Sequence, residues 1–154
     1  QDLCCRNFSV SILFIDAENF LAVQLYTNSR IHFLTLLMDL ETFRKYCLSK
    51  KGVSEGFPFG EDTLVFKVMG KIFAITSFEQ PLSVNLKCDP EKAMALREEY
   101  NCVLPGWHMN KKMWNTVVLD GSASKSNIFE WIDHSYTEVV KKLPKKDKLA
   151  LGIF

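Results

Sequence analysis

No CxxC pair occurs in the 154-residue chain, and its five cysteines, Cys4, Cys5, Cys47, Cys88 and Cys102, have no histidine at zinc-like spacing. An odd set without such pairing is poor material for a disulfide framework or a structural zinc site, so reduced thiols in or near a core are expected. Long apolar runs are also missing. Val10 to Ile15 is cut by Asp16 and Glu18, and Ile31 to Leu40 contains His32 and Asp39. Neither approaches the ~20 residues of a membrane-spanning helix, and the first lacks the layout of an export signal. A cytoplasmic protein without membrane attachment is the expectation.

Charge of one sign is scarce too. Nineteen lysines and arginines face 18 aspartates and glutamates, a formal charge of +1. No whole-molecule field points to nucleic acid, membrane or an acidic ligand, so any electrostatic function must be local. Seven glycines and five prolines exclude a collagenous or low-complexity chain, and 47% hydrophobic residues exclude intrinsic disorder. No GxxxxGK[ST] or GxGxxG loop is present to cradle a phosphate.

Residues 1–37 contain no glycine, proline or lysine and set two arginines against three carboxylates. They read as an added segment before Met38, or equally as an apolar strand pair packed against the domain proper, 38–154. Beyond Met38 the pattern turns regular. Leu40, Phe43 and Cys47 share one face of a helix over about 39–50. Alternation predicts strands at 64–69, 72–78 and 82–88, with Leu82, Val84, Leu86 and Cys88 on one face of the third and Ser83, Asn85 and Lys87 on the other. Asp89-Pro90-Glu91 starts a helix to about Tyr100, with a carboxylate at the N-cap and proline at the first position.

A loop from Cys102 to Met113 leads to a fourth strand, 114–119. The last helix, about 127–143, begins with Asn127 and Glu130 in capping-box spacing and carries Ile128, Ile132, Ser135, Val139 and Leu143 inward. The tail from Lys145 is expected to be loosely held. Strands bracketed by helices and joined by short turns give an α+β fold, one antiparallel sheet with helices on one face and the other face open to water.

The chemistry concentrates in Pro105 to Thr116, where Trp107, His108, Asn110, Lys111, Lys112, Trp114 and Asn115 stand together. Lysines can neutralise phosphates, amides can donate to phosphate or base edges, and indoles can stack, a set suited to nucleic acid. The same indoles can equally anchor a core and the same lysines simply be solvated. Lys67, Lys71 and Lys87 lie on or beside the sheet and can extend a basic surface, as can five lysines against Asp147 between 141 and 148.

Gly70-Lys71-Ile72-Phe73-Ala74, Leu86-Lys87-Cys88-Asp89-Pro90-Glu91, Leu104-Pro105-Gly106-Trp107-His108-Met109-Asn110-Lys111-Lys112-Met113-Trp114-Asn115-Thr116-Val117 and Ser135-Tyr136 follow the order and spacing of the MmcQ/YjbR family. The chain resembles that family over about 38–143. The resemblance implies a two-layer α/β sandwich of the CyaY or frataxin-like kind and a DNA-binding role through a double-wing arrangement of the sheet. The family's motif positions fall on Lys71, Lys87, His108, Asn110, Lys111, Lys112, Trp114 and Asn115.

Rival classes stay open. Enzyme chemistry has only loose candidates: Cys102 near His108, the doublets Glu61-Asp62 and Glu98-Glu99, and His134. Iron handling, which a frataxin-like fold brings to mind, finds only Asp39 and Glu41 on the first helix, opposed by Arg44, Lys45, Lys50 and Lys51. A regulatory or protein-interaction domain, binding a protein or a small acidic ligand on the open sheet face, is the main alternative. The expected function is weak, non-enzymatic binding of the DNA phosphate backbone through the exposed sheet face and the 105–116 loop, without a cofactor or metal.

Overall fold

The computed structural model describes residues 38–153. The expectations for residues 1–37, including their thiols and His32, lie outside the described residues. Helix α1, Leu40–Leu48, is slightly shorter than the expected 39–50, because Asp39 caps it rather than joining it: its carboxylate accepts from the Thr42 N–H at 2.7 Å and from the Thr42 hydroxyl at 2.7 Å. Those bonds hold its carboxyl below the usual carboxylate range. Its inward face is Phe43 and Cys47, both buried.

Six strands form one antiparallel sheet: β1 Val53–Gly56, β2 Thr63–Val68, β3 Lys71–Ser77, β4 Ser83–Lys87, β5 Val103–Pro105 and β6 Trp114–Val118. Their order is β1-β2-β3-β4-β6-β5. β2 and β3 are joined by Met69 (φ 47) and Gly70 (φ 78), and Val68 pairs with Lys71 across them. Two consecutive residues in the left-handed region match the right-handed twist of the flanking strands, which explains a glycine here.

Register sorts the side chains into two faces. Leu64, Phe66, Ala74, Val84, Leu86 and Val117 are core residues on one face, and Phe43 and Phe66 meet edge to face at 5.6 Å. Thr63, Ile75, Ser77, Ser83, Asn85 and Thr116 form the other. The register shifts between Phe66 and Lys67, so Phe73 has no cross-strand partner there, and Phe73 also enters the core beside Tyr136.

Helices α2, Pro90–Glu99, and α3, Lys125–Lys141, cover the same face as α1. Asp89 caps α2, accepting from the N–H groups of Glu91 and Lys92, as its sequence predicts. On α3 the capping residue is Ser124, which accepts from the Asn127 N–H at 3.1 Å, while Glu130 pairs with Lys92 at 2.9 Å. The Asn127/Glu130 capping box is therefore corrected: a serine three residues earlier satisfies the first turn.

The α+β class and the single antiparallel sheet are as expected. The sequence reading missed β1 and β5, both short edge strands with little alternation to detect. Pro105 blunts the β5 edge, since it offers no N–H for another strand to bond. A second correction concerns the tail, where α4, Lys145–Ala150, forms and Leu151 is only 3% exposed. A Cβ on Gly52 would collide with a Leu151 methyl, so the tail closes over that turn. Among the described residues no helix is long and apolar enough to cross a membrane.

Ser135 joins the two layers. It is fully buried, and its hydroxyl donates to the Phe73 carbonyl at 2.5 Å while accepting from the Lys87 N–H at 2.8 Å. One residue beyond the last β3–β4 ladder pair, Ala74 and Leu86, a side chain from α3 thus spans the two strands. Removing the hydroxyl strands a buried donor and acceptor. Ser135→Ala is expected to lose about 2 kcal/mol in urea unfolding, and a loss below about 0.5 kcal/mol would show that the strands close directly onto each other.

Candidate nucleic-acid interface

The residues singled out in the sequence gather at one end of the sheet. Strand pairing sets Ala74, Leu86 and Asn115 in one row, and Lys87 and Trp114 in the next. Beyond that row the Cys88 N–H donates to the Met113 carbonyl, the chain turns at 110–113, and Lys71 opens β3 beside the hairpin. Lys71, Lys87, Lys111 and Lys112 therefore line one end of the sheet in the strand order β3, β4, β6. Lys71, Lys111 and Lys112 are exposed, and none has an acid within ion-pair distance among the described residues. Lys45, Lys50, Lys92 and Lys141 contrast with them, each being paired to a carboxylate.

Lys87 differs from the other three. It is half-buried, and its Nζ sits 5.2 Å from the centre of the Trp114 ring, within cation–π range. Burial lowers its pKa, the Lys142 ammonium lowers it further, and Glu138 opposes both. The β4 end and the C-terminal end of α3 thus share an electrostatic neighbourhood.

Trp114 and Asn115 are framework. Trp114 is 7% exposed and Asn115 only 2%. The Asn115 Oδ1 accepts from Arg97 Nε at 2.8 Å, and its Nδ2 donates to the Ala93 carbonyl at 3.3 Å, which leaves it unable to reach a phosphate. It positions the loop instead. Arg97 also donates through Nη2 to the carbonyls of Lys111 and Trp114, so one guanidinium from α2 holds both ends of the segment that carries the two lysines. Arg97 escaped the sequence reading because a lone arginine on an exposed-looking helix gives no local signal.

The rest of the loop is held as tightly. Gly106 packs where an added Cβ would come within 2.8 Å of the Trp114 Cβ, so a larger residue would push the loop away. The Asn110 side chain accepts from the Lys112 N–H at 3.0 Å, closing the turn. His108 has φ 53, and its ring meets Trp107 edge to face at 4.8 Å. The Trp107 side chain is exposed, the residue being 73% accessible, while its backbone N–H donates to the Thr116 hydroxyl. Asn110 and His108 shape the loop, whereas Lys111 and Lys112 project from it.

The candidates for other chemistry are dispersed. Cys47 and Cys102 are buried; burial pushes the Cys47 thiol far up and that of Cys88 up to about 11. Glu61, Asp62, Glu98 and Glu99 are exposed. Among the described residues no group of three or more His, Cys, Asp or Glu side chains is placed to hold a metal. His134 Nε2 accepts from the Asp89 N–H at 3.2 Å, at the start of α2.

A two-layer α+β domain with a cationic sheet end is thus the class that fold and site define. The chain belongs to the YjbR family, whose model matches residues 48–138. It is 34% identical over 115 residues to the uncharacterized protein YjbR of Escherichia coli K12, covering 74% of this chain and 98% of that protein. It is 36% identical over 109 residues to the uncharacterized protein YbdF of Escherichia coli O157:H7, covering 70% of this chain and 89% of that one. The crystal structure of Deinococcus radiodurans protein DR2400 superposes with a TM-score of 0.71 at 36% identity, over 77% of this chain and 91% of that one. A Pseudomonas syringae protein structure gives a TM-score of 0.58 at 25% identity, over 66% and 98%.

His134 yields a pH prediction. Burial lowers its pKa first and Lys92 and Lys141 add to this, while Glu138 and Asp89 oppose, so the neutral imidazole is favoured in the fold over its ordinary 6.5. Its stabilising contribution is complete above about pH 6.5 and is lost as pH falls through the lower folded value. His134→Gln keeps an acceptor for the Asp89 N–H but does not titrate. Urea midpoints at about pH 7.5 and 5.5 should fall less in this variant than in the parent; an equal fall would remove His134 from the acid response.

Proposed function

We propose that the chain is a non-enzymatic, cytoplasmic DNA-binding domain that contacts the phosphate backbone weakly through the end of its sheet. Lys111 and Lys112 are the principal phosphate contacts, Lys71 extends the row, and Lys87 supports it from a half-buried position. The two wings in this reading are the β2–β3 hairpin and the 105–113 loop, and the sandwich is the frataxin-like arrangement that the resemblance implies. One observation carries it: three exposed ammonium groups at one end of the sheet, one opening β3 and two in the turn before β6, without carboxylate partners among the described residues, where Arg97 and Asn115 fix the loop. Unpaired cations in a row suit a polyanion, because each phosphate they neutralise releases a counterion.

The exposed sheet face, expected from the sequence to share in the contact, offers its groove poorly to phosphate, so this reading moves the contact to the end of the sheet. No lysine or arginine lines its groove, and Asp62 and Glu79 stand in its lining. Contact is thereby limited to about three phosphates. Binding of labelled duplex DNA should weaken with salt at a slope of roughly −3 in log K against log salt. Lys111→Ala/Lys112→Ala should reduce that slope to about −1. An unchanged slope and affinity in the double variant would refute the assignment and move attention to the lysines of the C-terminal run.

A further inference from the structure

The open face of the sheet carries a groove of about 770 Å3 that plays no part in the phosphate contacts. Its two ends differ in chemistry. Asp62, just before β2, and Glu79, just after β3, stand at one end with the exposed Phe59, and neither carboxylate has an ion-pair partner among the described residues. At the other, on the β5 and β6 side, Leu104 (47% exposed) and Trp107 (73% exposed) form an apolar wall with Met109. Between them the floor sets a polar pair beside Ile75: Asn85 Oδ1 accepts from the Thr116 hydroxyl at 2.6 Å, and Asn85 Nδ2 has no acceptor among the described residues.

The span between the ends limits the occupant. From β2 to β5 the groove crosses four inter-strand steps, about 19 Å at ~4.8 Å each. A ligand that reaches both ends must be that long, which corresponds to about six residues of extended chain at ~3.3 Å per residue. Exposed aromatic and aliphatic side chains at one end favour a bulky apolar group, and unpaired carboxylates at the other favour a cation. The Asn85 amide at mid-groove offers a donor to a carbonyl of the occupant. Nucleic acid is a poor match, since its phosphates would face Asp62 and Glu79.

We infer that this groove binds an extended peptide segment of a partner protein, with an apolar residue against Trp107 and Leu104 and a lysine or arginine at Asp62 and Glu79. Edge-strand pairing is not the mode, because Pro105 withholds an N–H on β5; the peptide crosses the strands and is read by side chains.

The test is selection of a random linear heptapeptide phage library on the immobilised full chain, followed by fluorescence anisotropy of the enriched peptides. Enrichment of peptides that combine a bulky apolar residue with a basic one is expected. Trp107→Ala, and separately Asp62→Lys/Glu79→Lys, should each weaken a selected peptide about tenfold. Both changes are at exposed positions, and the fold of each variant is checked by its melting curve. Failure to enrich, enrichment of acidic peptides, or affinities that change less than about twofold in both variants would overturn the inference.

Discussion

The hydroxyl of Ser135 is the contact on which the geometry of this domain turns. It reaches from α3 into the gap between β3 and β4, donating to one strand and accepting from the other, in a place that excludes water. The bulge beside it explains why a side chain is needed there. Without a cross-strand partner, Phe73 turns into the core together with Ala74, and the Phe73 carbonyl and Lys87 N–H would otherwise be left apart. Helix and sheet are thereby locked in one relative height, and Lys87 is fixed at the sheet end where α3 finishes.

Arg97 repeats this logic at the neighbouring strand. Its guanidinium joins α2 to β6 and to the turn ahead of it, so the lysine-bearing loop is held by a planar donor that a lysine could not replace. The result is a separation of charge that the near-zero total conceals. Cations without carboxylate partners among the described residues occupy one end of the sheet, and carboxylates likewise without cationic partners among them occupy the groove on its open face. A polyanion and a cationic apolar peptide are therefore directed to different surfaces of one small domain.

Much of this was legible in the residues. The Asp89 cap, four of the strands and the inward stripe of α3 follow from local pattern, because caps and periodicity depend on neighbours in sequence. Short edge strands, the Ser124 cap and the closure of the tail by Leu151 were not legible, since each depends on contacts between distant segments. The same distinction applies to the interface. Lys111 and Lys112 were identified from their loop, but Asn115 resembled a surface amide until its pairing with Arg97 and Ala93 placed it in the framework. Trp107 and Trp114 were indistinguishable as types, and only the fold shows that one is exposed and the other buried.

The most direct measurement is a map of backbone amide shifts in the 15N-labelled full chain as duplex DNA is added. The account predicts changes at Lys71, Lys87 and residues 110–113, in sequence-distant segments that only the strand order brings together, with Thr63, Ser77 and Ser83 in the groove unaffected. Shifts confined to the groove, or to the lysines from 141 to 148, would contradict it.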